Sequence, residues 1–574
     1  MPVHNADIAA HFEEIAELLE IQGGNPFRIR AYRNAARTVG DLGTELTAMV
    51  EQGEDLTRLP GIGKDLAAKI VEIIRTGTTA KLKELHKSVP ASVTEILALP
   101  GVGPKRVKVL MEQLGIRTLK QLGHAAQQGR IRELPGFGEK SEQQIVQALQ
   151  AHLGAETRYK LAVATQYAEA LLAHLKGVQG VKEAVVAGSF RRARETVGDL
   201  DILVSTGAES PVMQRFAGYD EVKKVVSRGT TRATVILNSG LQVDLRVVPD
   251  ESFGAALQYF TGSKAHNIVL RRLGQQRGLK INEYGVFEGD KRVAGDTEKS
   301  VYAAVGLPYI EPELRENRGE IEAAQAHRLP KLVELKDLKG DLHSHSRATD
   351  GRDSLEEMAR AAQKAGLHYL AVTEHSRRLT VAKGFDADRL ARQMAEIDRL
   401  NTKLDGIVLL KGIEVDILED GRLDLPDTIL SRLDLVVGAV HSKFNLSRAK
   451  QTARILKAMD APHFTVLAHP SGRLIGEREA YDVDMERIIR AARQRNCFLE
   501  LNAHPERLDL SDVYCNMAKD EGVLISIASD AHSVLDFANL RFAVGQARRG
   551  WLSKTDVLNT RTLAKLRPLL RQTM

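Results

Sequence analysis

From residue 340 onward the chain alternates between short apolar β-rich runs and amphipathic helical stretches, and this alternation limits the fold more than any other feature of the sequence. The runs are GDLHSH, LHYLAVTEH, IVLLKGIEVD, LDLVVGAVH, FTVLAHP, CFLELNAH and VLISIASDAH. Seven such runs separated by helices predict a barrel-like α/β domain with parallel strands. The runs end on side chains that bind metals. His343 and His345 lie in Asp-Leu-His-Ser-His, followed by Asp350. His375 lies in Thr-Glu-His-Ser, Glu414 in Gly-Ile-Glu-Val-Asp, His441 in Val-His-Ser and His469 in Ala-His-Pro; Asp530 and His532 close the set in Ser-Asp-Ala-His. Strand ends are where barrel folds place active sites. A lone histidine at such a place is usually structural, but nine candidate ligands at equivalent strand ends point to a metal centre. Imidazole and carboxylate together suit Mn2+, Zn2+ or Fe2+, and nine ligands suffice for up to three ions. Water activated there would attack phosphorus. Lys411, Lys443 and Arg473 lie near these motifs and are expected to bind a substrate phosphate; His504 also follows an apolar run but is left outside the ligand set.

Residues 1–150 read differently. Apolar residues recur at three and four, and Pro-Gly turns punctuate the helices. One element appears three times: Leu59-Pro60-Gly61-Ile62-Gly63, Leu99-Pro100-Gly101-Val102-Gly103 and Leu134-Pro135-Gly136-Phe137-Gly138, at spacings of 40 and 35 residues. Such a turn opening a helix exposes backbone N–H groups with no side chain in the way, a site for phosphate that reads backbone rather than sequence. Lys64 follows the first copy and Lys105 and Arg106 the second, whereas Glu139 precedes Lys140 in the third. An ordinary glycine turn would explain one copy; repetition with basic neighbours favours DNA backbone binding. The motif resembles the helix-hairpin-helix element of DNA repair proteins. Residues 101–200 carry 15 Lys and Arg against 9 Asp and Glu, a modest basic excess in a chain whose net charge is only +6.

Between these regions, VKEAVVAGSF, DLDILVS, TRATVILN and LQVDLRVVP are β-rich runs with helical stretches between them, which predicts an α+β domain with a mixed or antiparallel sheet. Asp199 and Asp201 stand two apart on one predicted strand, so their carboxylates share a face, and Asp244 offers a third from another strand. Three converging carboxylates repel unless divalent cations sit among them; two Mg2+ ions could activate a 3′-hydroxyl and stabilise pyrophosphate. Asp-x-Asp alone is more often a solvated strand edge. Here Gly188-Ser189-Phe190-Arg191-Arg192 precedes it, a turn whose amides, hydroxyl and guanidinium groups suit a triphosphate.

The Gly-Ser, Asp-x-Asp and Asp pattern looks like the nucleotidyltransferase superfamily. Tyr259-Phe260-Thr261-Gly262-Ser263, Asn267, Arg271 and Ile281-Asn282-Glu283-Tyr284-Gly285 follow in order. Across roughly residues 5–315 the sequence therefore resembles the DNA polymerase beta family, family X. That resemblance implies that Asp199, Asp201 and Asp244 hold the catalytic metals, and that Gly188, Ser189 and Arg192, with Arg191 as a further candidate, meet the incoming triphosphate. Tyr259 and Phe260 would pack against the deoxyribose, Gly262 would let the chain pass closely, and Asn267 and Arg271 would touch the minor-groove side of the nascent pair. Two positions depart from the pattern: Gln242 stands where animal relatives usually have Arg, and Lys264 where members can have Asp. Pro26-Phe27-Arg28-Ile29-Arg30-Ala31-Tyr32 looks like the family's 5′-phosphate pocket, so Arg28 and Tyr32 join Gly61, Gly63, Gly101, Gly103 and Lys105 as expected DNA contacts. Lys69 matches the Schiff-base lysine of lyase-active members; a phosphate-contacting or surface lysine is the alternative. Residues 338–574 are similar to the polymerase-and-histidinol-phosphatase (PHP) family, with all nine ligand positions filled.

The expected architecture is multidomain: an 8-kDa-like helical DNA-binding domain over 1–88, a helix-hairpin-helix domain over 89–155, a nucleotidyltransferase palm with its nucleotide-selection subdomain over 156–315, a charged linker over 316–338 containing Pro330, and a distorted (βα)7 PHP barrel over 339–574. The expected activity is DNA-directed nucleotide addition in short gaps, with metal-dependent 3′–5′ exonuclease and abasic-site endonuclease chemistry in the barrel. Its partners are gapped or nicked duplex DNA and dNTPs, its metals Mg2+ in the palm and Mn2+ or Zn2+ in the barrel, and its form a monomer. Two alternatives stand beside this reading: a PHP nuclease with the polymerase-like half serving only to bind DNA, and a small-molecule phosphatase. Cys497 and Cys515 are the only cysteines, which with an acidic amphipathic N-terminus and no apolar run of membrane-spanning length points to a reduced cytoplasmic setting near the nucleoid.

Overall fold

The computed structural model describes residues 3–42, 44–90, 92–97, 99, 102–154, 157–206 and 210–573. The chain forms two compact units, Met1–Arg158 and Tyr159–Met574.

The first unit is helical. In α1 (Asn5–Ile21), Ile8, Phe12 and Ile15 are fully buried at helical spacing. In α2 (Pro26–Asp41), the Asn25 side chain caps the helix by accepting from Phe27 N at 2.8 Å, and Pro26 supplies the first turn's fixed φ. The three Leu-Pro-Gly-x-Gly segments share one pattern of backbone hydrogen bonds. Ile62, Val102 and Phe137 each donate to the carbonyl of the leucine three residues back, at 3.1, 3.1 and 3.0 Å. Gly63, Gly103 and Gly138 then accept from Ala67, Val107 and Glu142, opening α3 (Lys64–Thr76), α4 (Pro104–Leu114) and α5 (Glu139–Gly154). Gly61 and Gly136 hold φ of 65° and 81°, the left-handed backbone that glycine adopts without strain. Pro100 and Gly101 lie outside the described residues.

The second unit begins with a palm. Helix α6 (Leu161–Lys176) covers a five-stranded sheet built from β1 (Val181–Val186), β2 (Asp199–Thr206), β3 (Val222–Arg228), β4 (Arg232–Leu237) and β5 (Gln242–Val248), in the order β1-β2-β5-β4-β3. Only the β2–β5 pair is parallel. Leu200 and Ile202 alternate with Asp199 and Asp201 and are buried in the palm core, so the register that fills the core also fixes the aspartates on the other face. After the palm come α7 (Phe253–Thr261), α8 (Lys264–Gln276), a three-stranded antiparallel sheet of β6 (Leu279–Asn282), β7 (Gly285–Glu288) and β8 (Lys291–Ala294), and α9 (Glu298–Ala304). The stretch 316–338, expected as a linker, carries α10 (Glu320–Gln325), whose Ile321 and Ala324 join the core of this subdomain.

Seven parallel strands follow in sequence order: β9 (Gly340–Asp341), β10 (Tyr369–Val372), β11 (Val408–Asp416), β12 (Leu435–Ala439), β13 (Val466–Leu467), β14 (Phe498–Asn502) and β15 (Ile525–Ala528). A parallel bridge between Ser344 and Ala531 links the continuations of the first and last strands and closes the ring. Helices α11 (Asp512–Asp520) and α12 (Leu540–Arg549) belong to its outer layer. Palm and barrel share a core, because Ile475, Leu508 and Phe542 of the barrel pack into the palm's apolar cluster. Among the described residues no helix is long and apolar enough to cross a membrane.

Candidate active sites

In the palm, Asp201 and Asp244 are direct register partners on β2 and β5, and Asp199 lies two residues before Asp201 on the same face. One carboxylate oxygen from each lies within 4.8 Å of the others. Burial and the neighbouring Asp199 and Asp244 push the Asp201 carboxyl up to about 7. Asp244 is fixed by three donors: Gln242 Nε2 at 2.9 Å, Arg232 Nη2 at 3.4 Å and the Thr234 hydroxyl. Gln242, one of the two departures from the family pattern, therefore still supplies a donor to the third aspartate. The repelling carboxylates, two part-buried and that of Asp244 buried, suit divalent cations.

The Gly-Ser turn meets this site directly. Gly188 holds φ of 62°, and a Cβ there would come within 2.6 Å of Asp201 Oδ2, so only glycine lets the turn approach the carboxylate. Arg192 donates through Nε to Glu316 at 3.0 Å and through Nη1 to the Thr261 carbonyl. Arg191 turns inward, with both terminal nitrogens 2.7 Å from Glu298, and serves the fold. Tyr259 and Phe260 meet edge to face at 5.1 Å. The Arg246 guanidinium covers Phe260 at 4.2 Å and that of Arg271 covers Tyr259 at 5.8 Å. Asn267 is held by Gln258 and donates to the Tyr259 carbonyl at 2.7 Å. Gly262, at φ of 68°, passes close to Arg192 Nη1. Ser189 lies in the same turn, while Lys264 is exposed.

In the barrel all nine expected ligands converge. Three groups have mutually close ligand atoms: His345, Asp350, His375 and His532; His343, His345 and Asp530; His375, Glu414 and His441. His469 joins through its Nε2, 3.0 Å from Glu414 Oε1. His343 Nε2, His345 Nδ1 and Nε2 and Asp350 Oδ1 are buried without a hydrogen-bond partner, and His375 Nδ1 and Glu414 Oε2 face each other at 2.7 Å. Orphaned polar atoms of this kind are costly unless a ligand satisfies them, and their aggregation at one strand end fits divalent cations. The carboxylates among the imidazoles dominate the local field. Burial alone would strip protons from the imidazoles, yet Glu414 lifts His375 to about 9 and His441 to about 10. His345, deeply buried between His532 and His375, falls to about 3. His469 and Asp530 hold positive φ of 27° and 54°, strained backbone of the kind stored at functional sites.

The sequence reading missed the layer behind these ligands. Glu500 accepts from His343 Nδ1 at 2.6 Å and from His469 N at 2.7 Å. Asp416 faces His441 Nδ1 at 3.2 Å, and Asn502 Nδ2 donates to Asp530 at 3.0 Å. These groups orient the ligands. A charge inside the buried run Phe498–Asn502 was the available signal. Two expected phosphate binders are otherwise engaged. Arg473 donates to Glu195 and to the Arg507 and Leu508 carbonyls, tying barrel to palm, and Lys411 pairs with Asp398 at 2.7 Å. Lys443 remains at the surface beside His441, 3.5 Å from Glu419.

In the helical unit, Gly61, Gly63, Gly103, Lys105 and Arg28 are exposed, as DNA contacts require. A Cβ at Gly63 or Gly103 would meet nothing within 4 Å, so glycine there keeps the amides bare rather than relieving a clash. Tyr32, expected on a phosphate pocket, is instead buried edge-on to Phe12 at 5.9 Å and serves the core. Lys69 pairs with Asp65 at 2.5 Å.

Family models match the chain at four places: a helix-hairpin-helix domain over residues 3–79, a SAM-like helix-hairpin-helix tandem over 93–151, the DNA polymerase beta thumb over 256–316 and the PHP domain over 341–504. Over 574 aligned residues, 99% of this chain and all of the relative, it is 38% identical to a Bacillus subtilis (strain 168) protein named DNA polymerase/3'-5' exonuclease PolX. The chain belongs to the family X DNA polymerases that carry a PHP domain. Two further relatives match part of the chain. DNA polymerase lambda of Rattus norvegicus is 27% identical over 54% of this chain and 56% of its own length. A probable phosphatase of Thermoanaerobacter sp. (strain X514) is 28% identical over 40% of this chain and 94% of its own length. Of the two clusters of this family X polymerase, the barrel residues from His343 to His469 lie within the PHP match, and the three palm aspartates lie between matched segments.

Proposed function

We propose that the protein fills short gaps in duplex DNA by template-directed nucleotide addition in the palm and trims DNA 3′-ends by phosphodiester hydrolysis in the barrel. The observation that carries this reading is the presence of two separate ligand clusters, the three aspartates beside Gly188–Arg192 and the nine-residue set at the barrel's strand ends. Asp199, Asp201 and Asp244 would hold Mg2+, and the barrel set would hold Mn2+ or Zn2+; bound cations supply charge neutralisation and Lewis acidity at phosphorus. Ser189 and Arg192 orient the triphosphate, Tyr259 and Phe260 crowd the sugar and disfavour a 2′-hydroxyl, and Asn267 and Arg271 position the nascent pair. In the barrel, Glu500 and Asp416 face Nδ1 of His343 and His441, which turns each Nε2 towards the cluster. The hairpins hold the DNA by its phosphates, which favours DNA over a small phosphomonoester as the barrel's substrate. The domain boundaries at 88, 155, 315 and 338, a monomeric form and a cytoplasmic, nucleoid-associated setting belong to the same proposal. On a gapped duplex, primers should lengthen with dNTPs and Mg2+ and shorten with Mn2+ alone. Hydrolysis of a simple phosphomonoester without any shortening of DNA would contradict it.

A lesser lyase activity at Lys69, and abasic-site cleavage in the barrel, fit the same substrate. Lys69 must leave Asp65 before its amine can attack an aldehyde. Borohydride should trap wild-type protein on incised abasic DNA, trap Asp65→Asn more, and not trap Lys69→Ala; equal trapping of all three removes Lys69 from that role.

A further inference from the structure

Arg192 does not depend on the palm alone. Arg549, the last residue of α12 in the barrel, donates through Nη1 to the Arg192 carbonyl at 2.8 Å and to Glu316 Oε1 at 2.9 Å. The same carboxylate oxygen accepts from Arg192 Nε at 3.0 Å. Through Nη2, Arg549 donates to Asp512 Oδ2 on α11 at 2.8 Å, and Arg318 reaches that oxygen at 2.9 Å. The Arg549 side chain is 4% exposed and that of Glu316 10%. Burial would raise the Glu316 carboxyl, but Arg192 and Arg549 outweigh it and hold it below the usual glutamate value. The backbone is pinned at the same point: Ala193, next to Arg192, has φ of 51°, and α12 comes so close that a Cβ on Gly545 would lie 3.0 Å from Ala193 Cβ.

We infer that Arg549 is a positioning residue of the polymerase site: the barrel domain aims the Arg192 guanidinium at the incoming triphosphate. The inference rests on the reading that Arg192 meets that triphosphate. Arg549 fixes the Arg192 main chain and the carboxylate that orients its Nε, while Thr261 takes Nη1. Among the described residues no protein group bonds Nη2, which leaves that nitrogen for a phosphate oxygen. A guanidinium is suited to the task because its two terminal nitrogens donate in different directions, Nη1 to the Arg192 carbonyl and Glu316 and Nη2 to Asp512. The palm–barrel pair of Arg541 and Glu169 has a different character. Arg541 and Glu169 meet at 2.9 Å with side chains 40% and 60% exposed, far from Arg192 in sequence, and a pair of that kind contributes little.

The test uses the full-length protein and gap filling with Mg2+, reading KM for dNTP and kcat separately, with exonuclease rate and melting temperature as controls. Arg549→Lys, which keeps a charge beside the buried acids, carries the test if Arg549→Ala does not fold. Either variant should raise the dNTP KM about tenfold, with kcat, exonuclease rate and DNA affinity unchanged, a loss of ground-state positioning worth about 1.4 kcal/mol. Arg192→Ala should raise the same KM at least as much, and Arg541→Ala should leave it unchanged. If Arg192→Ala raises KM and the folded Arg549 variants do not, Arg549 has no positioning role. If Arg541→Ala raises KM equally, or if kcat and exonuclease fall together with the Arg549 change, the contact is a general strut and the inference fails. If Arg192→Ala itself leaves KM unchanged, it is the assignment of Arg192 that is wrong.

Discussion

Asp201 combines burial with like charge. Its carboxyl, pushed up to about 7 by desolvation and by Asp199 and Asp244, favours the protonated form in the folded protein more than in the unfolded chain. The sign follows: the stability tied to this proton is complete below the ordinary aspartate value of 3.8 and is lost as pH rises through about 7. In EDTA, Asp201→Asn should therefore melt several degrees above wild type at about pH 8, with the advantage shrinking towards about pH 4. Mg2+ should erase it by offsetting the repulsion in the wild type. Calorimetry across pH checks this, and a variant that melts below wild type at high pH in EDTA contradicts it. The same substitution should abolish nucleotide addition, because the carboxylate set loses a member while the isosteric amide still fits against Gly188. Gly188 shows how strictly a single atom is constrained, since any Cβ would strike Asp201 Oδ2.

At the scale of elements, the hairpins and the strands show what sequence can and cannot reveal. The Leu-Pro-Gly-x-Gly turns were legible because a left-handed residue followed by a helix start demands glycine at fixed spacing, as at Gly61 and Gly136, and the Leu-carbonyl hydrogen bond that all three segments share is its structural counterpart. If the second turn grips phosphate, Lys105→Ala should weaken duplex binding uniformly across sequences and reduce the slope of log affinity against log salt by about 1. A fluorescence titration at several salt concentrations reads it; an unchanged slope would place Lys105 off the DNA. The barrel ligands were legible for a similar reason, since imidazoles and carboxylates at the ends of apolar runs announce themselves locally. Glu500, Asp416 and Asn502 did not, because a buried polar residue inside a strand is recognised only when its partner is known. Arg473 and Lys411 were misread because nearness in sequence to a ligand does not set direction; their charges are taken by Glu195 and Asp398. Tyr32 was misread because its spacing from Phe12 could not show that the two rings pack together.

In the whole molecule, palm and barrel are joined by an apolar core and by buried ion pairs whose members lie hundreds of residues apart, such as that of Arg549 with Glu316, 233 residues back. No local pattern announces such a joint, which is why 316–338 read as a linker although Glu316, Arg318, Ile321 and Ala324 are built into it or the subdomain beside it. The joint makes the two halves one body, yet the metal ligands of each half come wholly from that half. Chemistry should therefore separate where structure does not. His343 carries this test: its Nδ1 is held by Glu500, and its Nε2 is an orphaned atom within the barrel cluster. The decisive measurement is gap filling and 3′-end degradation by His343→Ala on one gapped duplex, after its melting temperature shows that it folds. Mn2+-dependent degradation should fall at least about a hundredfold while primer extension in Mg2+ continues at the wild-type rate. Degradation that persists at the wild-type rate, or loss of both activities in the folded variant, would contradict two independent metal sites in one chain.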